Sequence, residues 1–401
     1  MSRSPISRNA DLKRLRDEGY EVEVKSGYLL VSSIPYVDSN RQIKRGVLVS
    51  TLEMAGDKAV NPVNDHTVMF AGEQPCDERG GPLQQIYHSS QRSEVVPGLV
   101  VSHKFSAKPP GGYLDYHHKI SEYAGILARY AQRIQPEASA RTFAPVICTE
   151  DDNGVFEYLD TASSRADITA VSRKLAGHRI AVVGLGGTGS YVLDLVSKTH
   201  VAEIRLIDGD RFHSHNAFRC PGAASLDDLR AGMYKVEYLR HRYSAMRRNI
   251  VAIPEYIGEE NLHHLEGIDF VFLCLDNGGA KGVVMDALIR QGVPFVDSGI
   301  GVTNDDDRIR GQLRVTASSV EKSSHVSKVV PRGDIGGDNL YVTNIQIAEL
   351  NALCASLAVI RWKKMVGFYA DLEEEHHCLY VIDGNCLHNE ETNAPADPDA
   401  A

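Results

Sequence analysis

The sequence lacks several features that would place the protein in a specialised class. It has no run of 18 apolar residues, so we expect no transmembrane helix and no membrane partner. No apolar segment follows the start, which argues against a secretory signal, and the scattered cysteines lead us to expect a reduced, cytoplasmic setting. The net charge is −10, whereas a general nucleic-acid binder would carry a basic field, so we expect no nucleic-acid partner.

Cysteine is sparse and scattered. The seven cysteines form no C-x-x-C pair, so we expect neither a zinc ribbon nor a thioredoxin-like motif, and no bound zinc. Cys76 lies in a loop rich in glycine and proline, where it is either an exposed nucleophile or a small turn residue. The second interpretation is favoured because no obvious histidine partner accompanies it.

The composition is that of an ordinary globular protein, and its 401 residues suggest two or three domains. Residues 1–150 alternate short apolar runs with turns and end in a helix over 118–132, which predicts a smaller α+β domain on an antiparallel meander. Residues 160–390 alternate strands and helices. The acidic, Pro- and Ala-rich residues 391–401 are predicted to be a disordered tail.

A loop in the first domain reads SAKPPGGYLDY over residues 106–116. Its tyrosines, Tyr113 and Tyr116, flank an acidic residue. The loop is either a docking site for a partner protein or a structural lead into the next helix, since tyrosine is common both at interfaces and beneath turns.

A glycine-rich turn organises the second domain. Residues 179–190 read RIAVVGLGGTGS, in which an apolar, β-prone strand runs into a turn and then into a helix. Glycine permits the tight turn, and the following helix offers free N–H groups to an anion. The expected phosphate cradle consists of Gly184, Gly186, Gly187 and Gly189. The turn alone is a weak signal, because a glycine turn with no ligand remains an alternative.

Three further strands are predicted over residues 203–210, 267–277 and 293–301, with a helix between the last two. The pattern predicts an α/β fold with a Rossmann-like, doubly wound and mostly parallel sheet. Ligands in such sheets lie at the carboxyl ends of the strands, where Asp208, Asp210 and Asp276 fall. Asp208 follows Gly189 by 19 positions, an offset at which it can reach a nucleotide ribose.

Asn216, Arg219 and Lys235 add an amide and two cations between the second and third strands. Arginine and lysine neutralise phosphates and stabilise the charge of a leaving pyrophosphate. An aspartate can hold Mg2+ that bridges phosphate oxygens. A nucleoside triphosphate needs this set, whereas a hydride-transfer site does not.

Taken in order, these motifs resemble those of the ThiF/MoeB/ubiquitin-activating-enzyme family of adenylyltransferases over about residues 160–370. The resemblance implies that Asp208 binds the ATP ribose, that Asn216, Arg219 and Lys235 contact the phosphates, and that Asp276 binds Mg2+. It places Asp210 and Asn277 in the nucleotide site as well. Arg165 lies where family members supply an arginine across a dimer interface, so a homodimer is expected.

The implied reaction is attack of a C-terminal glycine carboxylate on the α-phosphate of ATP. The carboxylate belongs to a ubiquitin-like or sulfur-carrier protein, and a conjugating enzyme is a possible further partner. Two departures stand out: Cys220 follows Arg219 where the family has glutamine, and Lys235 comes three residues later than the family pattern.

The region that carries a thioester cysteine in many members, residues 314–339, contains none. We therefore expect adenylation without a thioester in that loop, with Cys220 an outside candidate nucleophile. Two other functions stay open, an NAD-dependent oxidoreductase and a catalytically inactive adaptor.

Overall fold

The computed structural model describes residues 4–62, 65–147, 154–276, 278–332 and 345–392. The chain forms two compact units that divide between residues 154 and 155. No helix in these described ranges is long and apolar enough to cross a membrane.

The N-terminal unit is an antiparallel sheet with helices. Its helices are α1 Ser4–Arg8, α2 Ala10–Asp17 and α3 Tyr116–Ile134. Its strands are β1 Glu21–Lys25, β2 Tyr28–Val37, β3 Ile43–Thr51, β4 Met54–Ala55, β5 Lys58–Ala59, β6 Thr67–Ala71, β7 Tyr87–Ser89, β8 Ser93–Val96, β9 Leu99–Val101 and β10 His103–Ser106. Six strands pair antiparallel in the order β1-β2-β3-β6-β10-β7, which confirms the predicted α+β meander.

Helix α3 closes the core of this unit. Asp115 caps it by accepting a hydrogen bond from the backbone of His118, and Ile120, Tyr123 and Leu127 recur at helical spacing and are buried. Its apolar face joins a single core with the inward side chains of the sheet. The helix therefore forms because one face can be buried completely.

The structure favours the structural interpretation of the loop before α3. Tyr113 and Tyr116 are both buried. The Tyr113 hydroxyl donates to the carbonyl of Ala107 at 2.6 Å, and the backbone N–H of Glu53 donates to the Tyr116 hydroxyl at 3.2 Å. Neither tyrosine presents its ring to a partner, so their role is to fix the loop.

The C-terminal unit is α/β. Its helices are α4 Thr161–Arg165, α5 Thr169–Ser172, α6 Gly187–Ser197, α7 Ser214–Ala217, α8 Leu226–Ala231, α9 Lys235–Ser244, α10 Gly278–Gln291, α11 Val326–Val329 and α12 Ala348–Met365, with 3-10 segments at Arg173–Leu175 and Glu259–Leu265. Its strands are β11 Arg179–Val183, β12 Glu203–Ile207, β13 Ile250–Ile253, β14 Phe270–Leu273, β15 Phe295–Asp305, β16 Arg308–Ser318, β17 His377–Val381 and β18 Cys386–Glu390.

The eight strands form one sheet in the order β13-β12-β11-β14-β15-β16-β17-β18. The first five are parallel and the remaining pairings are antiparallel. Side chains of β11 alternate between two cores: Ile180 and Val182 pack with α6 and α12, while Ala181 and Val183 pack with α10. Both faces are covered by helices, which confirms the Rossmann-like, doubly wound prediction.

The predicted strands of this unit were incomplete. Sequence reasoning missed β13 and β16, and the region read as a loop from residue 314 begins inside β16. These two strands were missed because β13 has only four residues and β16 is rich in arginine. The predicted tail lies outside the described residues from 393 onward.

Three buried histidines pack near the ends of β16 and β17. His325 donates from Nε2 to the carbonyl of Ala317 at 2.9 Å, and its ring lies 5.7 Å from that of His376. His377 shares a 2.9 Å hydrogen bond with Thr316. Burial lowers the pKa of all three histidines below the ordinary 6.5, because the charged form loses its hydration.

We expect acid to destabilise the C-terminal unit through these histidines. A histidine that stays neutral in the fold but binds a proton when unfolded makes stability fall as pH drops below about 6.5, by about 1.4 kcal/mol per pH unit. Denaturant unfolding between pH 8 and pH 5.5 measures this slope. His376→Gln should reduce the slope, whereas His388→Gln at an exposed position should not; equal slopes for both variants would contradict the prediction.

Candidate functional site

The glycine-rich turn is tight because neighbouring backbone leaves room only for glycine. Gly184 has a φ of +86°, and a Cβ there would lie 2.5 Å from the carbonyl oxygen of Cys274. A Cβ on Gly189 would lie 1.9 Å from the carbonyl oxygen of Gly184. At Gly186 a Cβ would meet no described atom within 4 Å. The turn is therefore closed on its protein side and open at Gly186, just before α6 begins at Gly187.

Asp208 ties the second strand to this turn. Its buried carboxylate accepts hydrogen bonds from the backbone N–H of Leu185 at 2.6 Å and of Asp210 at 2.8 Å. Burial raises the pKa of Asp208, although Lys235 and the two N–H groups oppose the shift. The acidic side chain therefore lies directly beneath the turn, where the sequence predicts a ribose.

Lys235 lies between two carboxylates. Its Nζ is 2.5 Å from Oδ2 of Asp210 and 3.6 Å from Oδ2 of Asp208. Burial alone would raise the pKa of Asp210, but hydrogen bonds from Lys235 and Tyr256 outweigh it and lower the pKa. The side chain of Lys235 is 7% exposed, so its ammonium is a nearly buried charge that depends on these two partners.

The position of Lys235 is set by a backbone bridge. Arg211 pairs with Tyr234 in an isolated antiparallel bridge, and the backbone N–H of Lys235 donates to the carbonyl of Asp210 at 2.9 Å. The segment between Arg219 and Lys235 includes α8, which buries none of its side chains. The longer spacing therefore leaves Lys235 beside Asp208 and Asp210.

Asn216 and Arg219 each have a buried hydrogen-bond donor that no described residue accepts. Oδ1 of Asn216 accepts from the backbone of His213 at 2.9 Å, which leaves its Nδ2 group to point elsewhere. Nδ2 of Asn216 and Nε of Arg219 are buried and have no hydrogen-bond partner among the described residues. Buried donors are normally paired, so these two fit a ligand that supplies acceptor oxygens.

Asp276 follows β14 at the same edge of the sheet. The residue is exposed, yet desolvation by the surrounding protein raises the pKa of its carboxyl group. The charges of Lys281, Arg219 and Lys235 act in the opposite direction. The structure thus brings the predicted aspartate into the field of the two predicted cations.

Nothing among the described residues forms a group of three or more side chains able to hold a metal ion. Mg2+ is commonly bound by one or two carboxylates together with substrate phosphates and waters. Asp276 is the residue that we would assign to it.

Two predicted site residues are not placed with the others. Asn277 lies outside the described residues. Arg165 is the last residue of α4 and its side chain is exposed, so its contribution to a partner's site stays a prediction.

Sequence reasoning missed four residues around the turn. Lys281 and Arg314 both contact the buried carboxylate of Asp297. Asn351 accepts a hydrogen bond from Thr188 and packs where a Cβ of Gly187 would be. Asp297 could have been found as an acidic residue inside a predicted apolar strand. Asn351 gave no such signal, because it is one polar position within a helix.

The structure contradicts both candidate nucleophilic cysteines. Cys76 and Cys220 are 2% and 7% exposed, and burial raises the pKa of both thiols. A buried thiol with a raised pKa supplies little thiolate near neutral pH. Cys220 instead lies beneath the turn, with Sγ 3.8 Å from the carbonyl oxygen of Gly186.

We expect thiol labelling to show this difference. Of the described cysteines, only Cys386 is exposed, so in a Cys148→Ser background an aromatic disulfide reagent should label one thiol quickly. Cys386→Ser should remove that fast phase, while Cys76→Ser should not. Fast labelling of Cys220 in the folded protein would refute the prediction.

Residues 163–398, more than half of the chain, match the family model described as ThiF family. The chain belongs to the ThiF family. Residues 10–161 match a second model, described as a domain of unknown function, DUF6791.

Curated relatives of this ThiF-family chain include ubiquitin-like modifier-activating enzyme 5 from two animals. The Branchiostoma floridae protein is 23% identical over 167 residues, covering 38% of this chain and 40% of the relative. The Rattus norvegicus protein is 23% identical over 154 residues, covering 35% and 37%. The match thus spans about two fifths of the length of these relatives.

A solved structure of E. coli MccB with ATP is also similar. It is 18% identical, with a TM-score of 0.45, and the match covers 59% of this chain and 70% of MccB.

Proposed function

We propose that this ThiF-family protein transfers the adenylyl group of ATP to the C-terminal carboxylate of a small ubiquitin-like or sulfur-carrier protein. The observation that carries the proposal is the pair of unpartnered buried donors, on Asn216 and Arg219, beside a glycine-rich turn and the Asp208–Lys235 pair. Acceptor oxygens of a triphosphate would satisfy both donors.

Each residue has a role in this proposal. Asp208 binds the ribose, with Asp210 holding Lys235 beside it at 2.5 Å. Asn216, Arg219 and Lys235 contact the phosphates, and Gly184, Gly186, Gly187 and Gly189 form the turn beneath them. Asp276 would hold Mg2+, which supplies further neutralisation of phosphate charge when bound.

The reaction needs positioning more than proton transfer. A carboxylate oxygen of the carrier forms a bond to the α-phosphorus, and the bond from that phosphorus to the bridging oxygen of the β-phosphate breaks. The products are an acyl-adenylate and pyrophosphate. Because the carboxylate is already ionised, no protein base is required, and catalysis rests on orientation and charge stabilisation.

Partners enter the proposal through the same chemistry. A carrier with a C-terminal glycine would bring its carboxylate to the open side of the turn at Gly186. A second copy of the chain would contribute Arg165, and a conjugating enzyme would accept the activated carrier. The buried state of Cys220 supports adenylation without a thioester on that cysteine.

Exchange of labelled pyrophosphate into ATP tests the proposal. Exchange should require a carrier that ends in glycine and should be lost in Asp276→Asn. Asp286→Asn is the matched control, because Asp286 lies on α10, is half exposed and pairs with Arg332. Normal ATP binding with no exchange for any carboxylate would overturn the activity, and preferential thermal stabilisation by NAD would indicate an oxidoreductase instead.

A further inference from the structure

Asp297 is a fully buried carboxylate between two cations. Its Oδ1 lies 2.9 Å from Nζ of Lys281, and its Oδ2 accepts a 2.7 Å hydrogen bond from Nη2 of Arg314. Two cations on one carboxylate leave an excess positive charge in a buried position. Such a charge is costly unless a further anion lies close to it.

The place of Asp297 in the sheet explains this cluster. It pairs with Leu273 of parallel β14 on one side and with Thr316 of antiparallel β16 on the other. The carboxylate is therefore fixed at the edge where β14 ends, next to the segment that carries Asp276. Backbone pairing on both sides leaves it little freedom to move.

The two cations differ in how much of their hydrogen-bonding capacity is used. Arg314 also contacts Oγ1 of Thr316 at 3.2 Å, and its Nη2 packs 2.7 Å from where a Cβ of Gly299 would be. For Lys281, Asp297 is the only ion-pair partner in the described part of the chain. An ammonium group has three donors, so Lys281 retains capacity for a second anion.

Lys281 also lies at the end of the sheet where the proposed phosphate site is. Helix α10 begins at Gly278, so Lys281 lies in its first turn, close after Asp276. Its ion-pair partner Asp297 is paired with Leu273, the last residue of β14, three positions before Asp276. The N-terminal end of a helix adds positive potential to the same region.

We propose that Lys281 is a third phosphate-binding cation of the adenylation site, and that Asp297 is the residue that positions it. This inference rests on the proposed function. When the carrier carboxylate attacks the α-phosphorus and pyrophosphate leaves, Lys281 donates hydrogen bonds to phosphoryl oxygens and transfers no proton. Arg314 holds the other side of Asp297, so the carboxylate stays in place while Lys281 turns toward the nucleotide.

Binding of ATP and of adenosine to Lys281→Met separates this role from a structural one. ATP affinity should fall about tenfold or more while adenosine affinity stays unchanged, and pyrophosphate exchange should fall about 10²-fold. Lys281→Arg should restore part of the ATP affinity and part of the exchange rate. Asp297→Asn should, like Lys281→Met, weaken binding of ATP but not of adenosine. The control is Lys364→Met, since Lys364 pairs with Glu375 at 2.9 Å in an ion cluster of its own.

Unchanged ATP affinity and exchange in Lys281→Met would overturn the proposal, as would an equal loss of affinity for ATP and adenosine. Circular dichroism establishes that each variant is folded, and Lys281→Arg keeps the test decisive should the methionine variant unfold. If the wild-type protein binds ATP but adenylates no carboxylate, the proposed function fails. The ratio of ATP to adenosine affinity still decides the role of Lys281.

Discussion

Replacement of Lys235 by methionine is expected to lower pyrophosphate exchange by about 10²–10³-fold, the loss typical of removing one preorganised charge from a transition state. The same change removes the cation that lies between Asp208 and Asp210. Because Asp208 is buried, its uncompensated carboxylate should lower the free energy of unfolding by about 3 kcal/mol. Steady-state exchange and denaturant unfolding measure the two effects.

Lys235→Arg separates the two contributions. The charge remains, so most of the stability should return, while the larger planar guanidinium will not reproduce the ammonium geometry at the phosphates. Exchange should therefore stay well below wild type. A Lys235→Met protein that exchanges at the wild-type rate would remove Lys235 from the active site.

The second large effect is expected at Gly189. An alanine Cβ there would lie 1.9 Å from the carbonyl oxygen of Gly184, a backbone atom that can move only if the turn itself is rebuilt. We expect Gly189→Ala to cost about 3 kcal/mol or more in stability, at the upper end for overpacking, and to abolish ATP binding. Thermal denaturation and nucleotide titration test both expectations.

Gly186→Ala provides the comparison within the same turn. Its Cβ would meet no described atom within 4 Å, so the fold should be retained at a modest cost. If a phosphate occupies the open side of the turn, the added methyl group should still weaken ATP binding. Unimpaired ATP binding by Gly186→Ala would place the nucleotide elsewhere.

The central strand, the turn and the acidic strand ends could all be predicted from sequence. Parallel strands buried on both faces leave continuous apolar runs, and topology brings their carboxyl ends together. Asp208 and Asp276 therefore fall at one edge although 68 positions separate them. Asn216, Arg219 and Lys235 depended on the family resemblance, because no periodicity predicts where a loop places its side chains.

The Lys281–Asp297–Arg314 cluster could not be predicted. Its members come together because β16 pairs antiparallel with β15, and the arginine-rich β16 did not read as a strand. Lys281 looked like an ordinary helical lysine. The burial of Cys76 and Cys220 could not be predicted either, since the side chain of a loop residue can point into the core or into solvent.

The exposed helix α8 has a consequence for recognising related proteins. Because the bridge between Arg211 and Tyr234 fixes Lys235, α8 forms a surface excursion whose length does not change the position of Lys235. Insertions or deletions there should be tolerated among homologues, so a search that counts residues from the arginine to the lysine will overlook true members. A search for paired strand-like segments on either side of a variable insert would retain them.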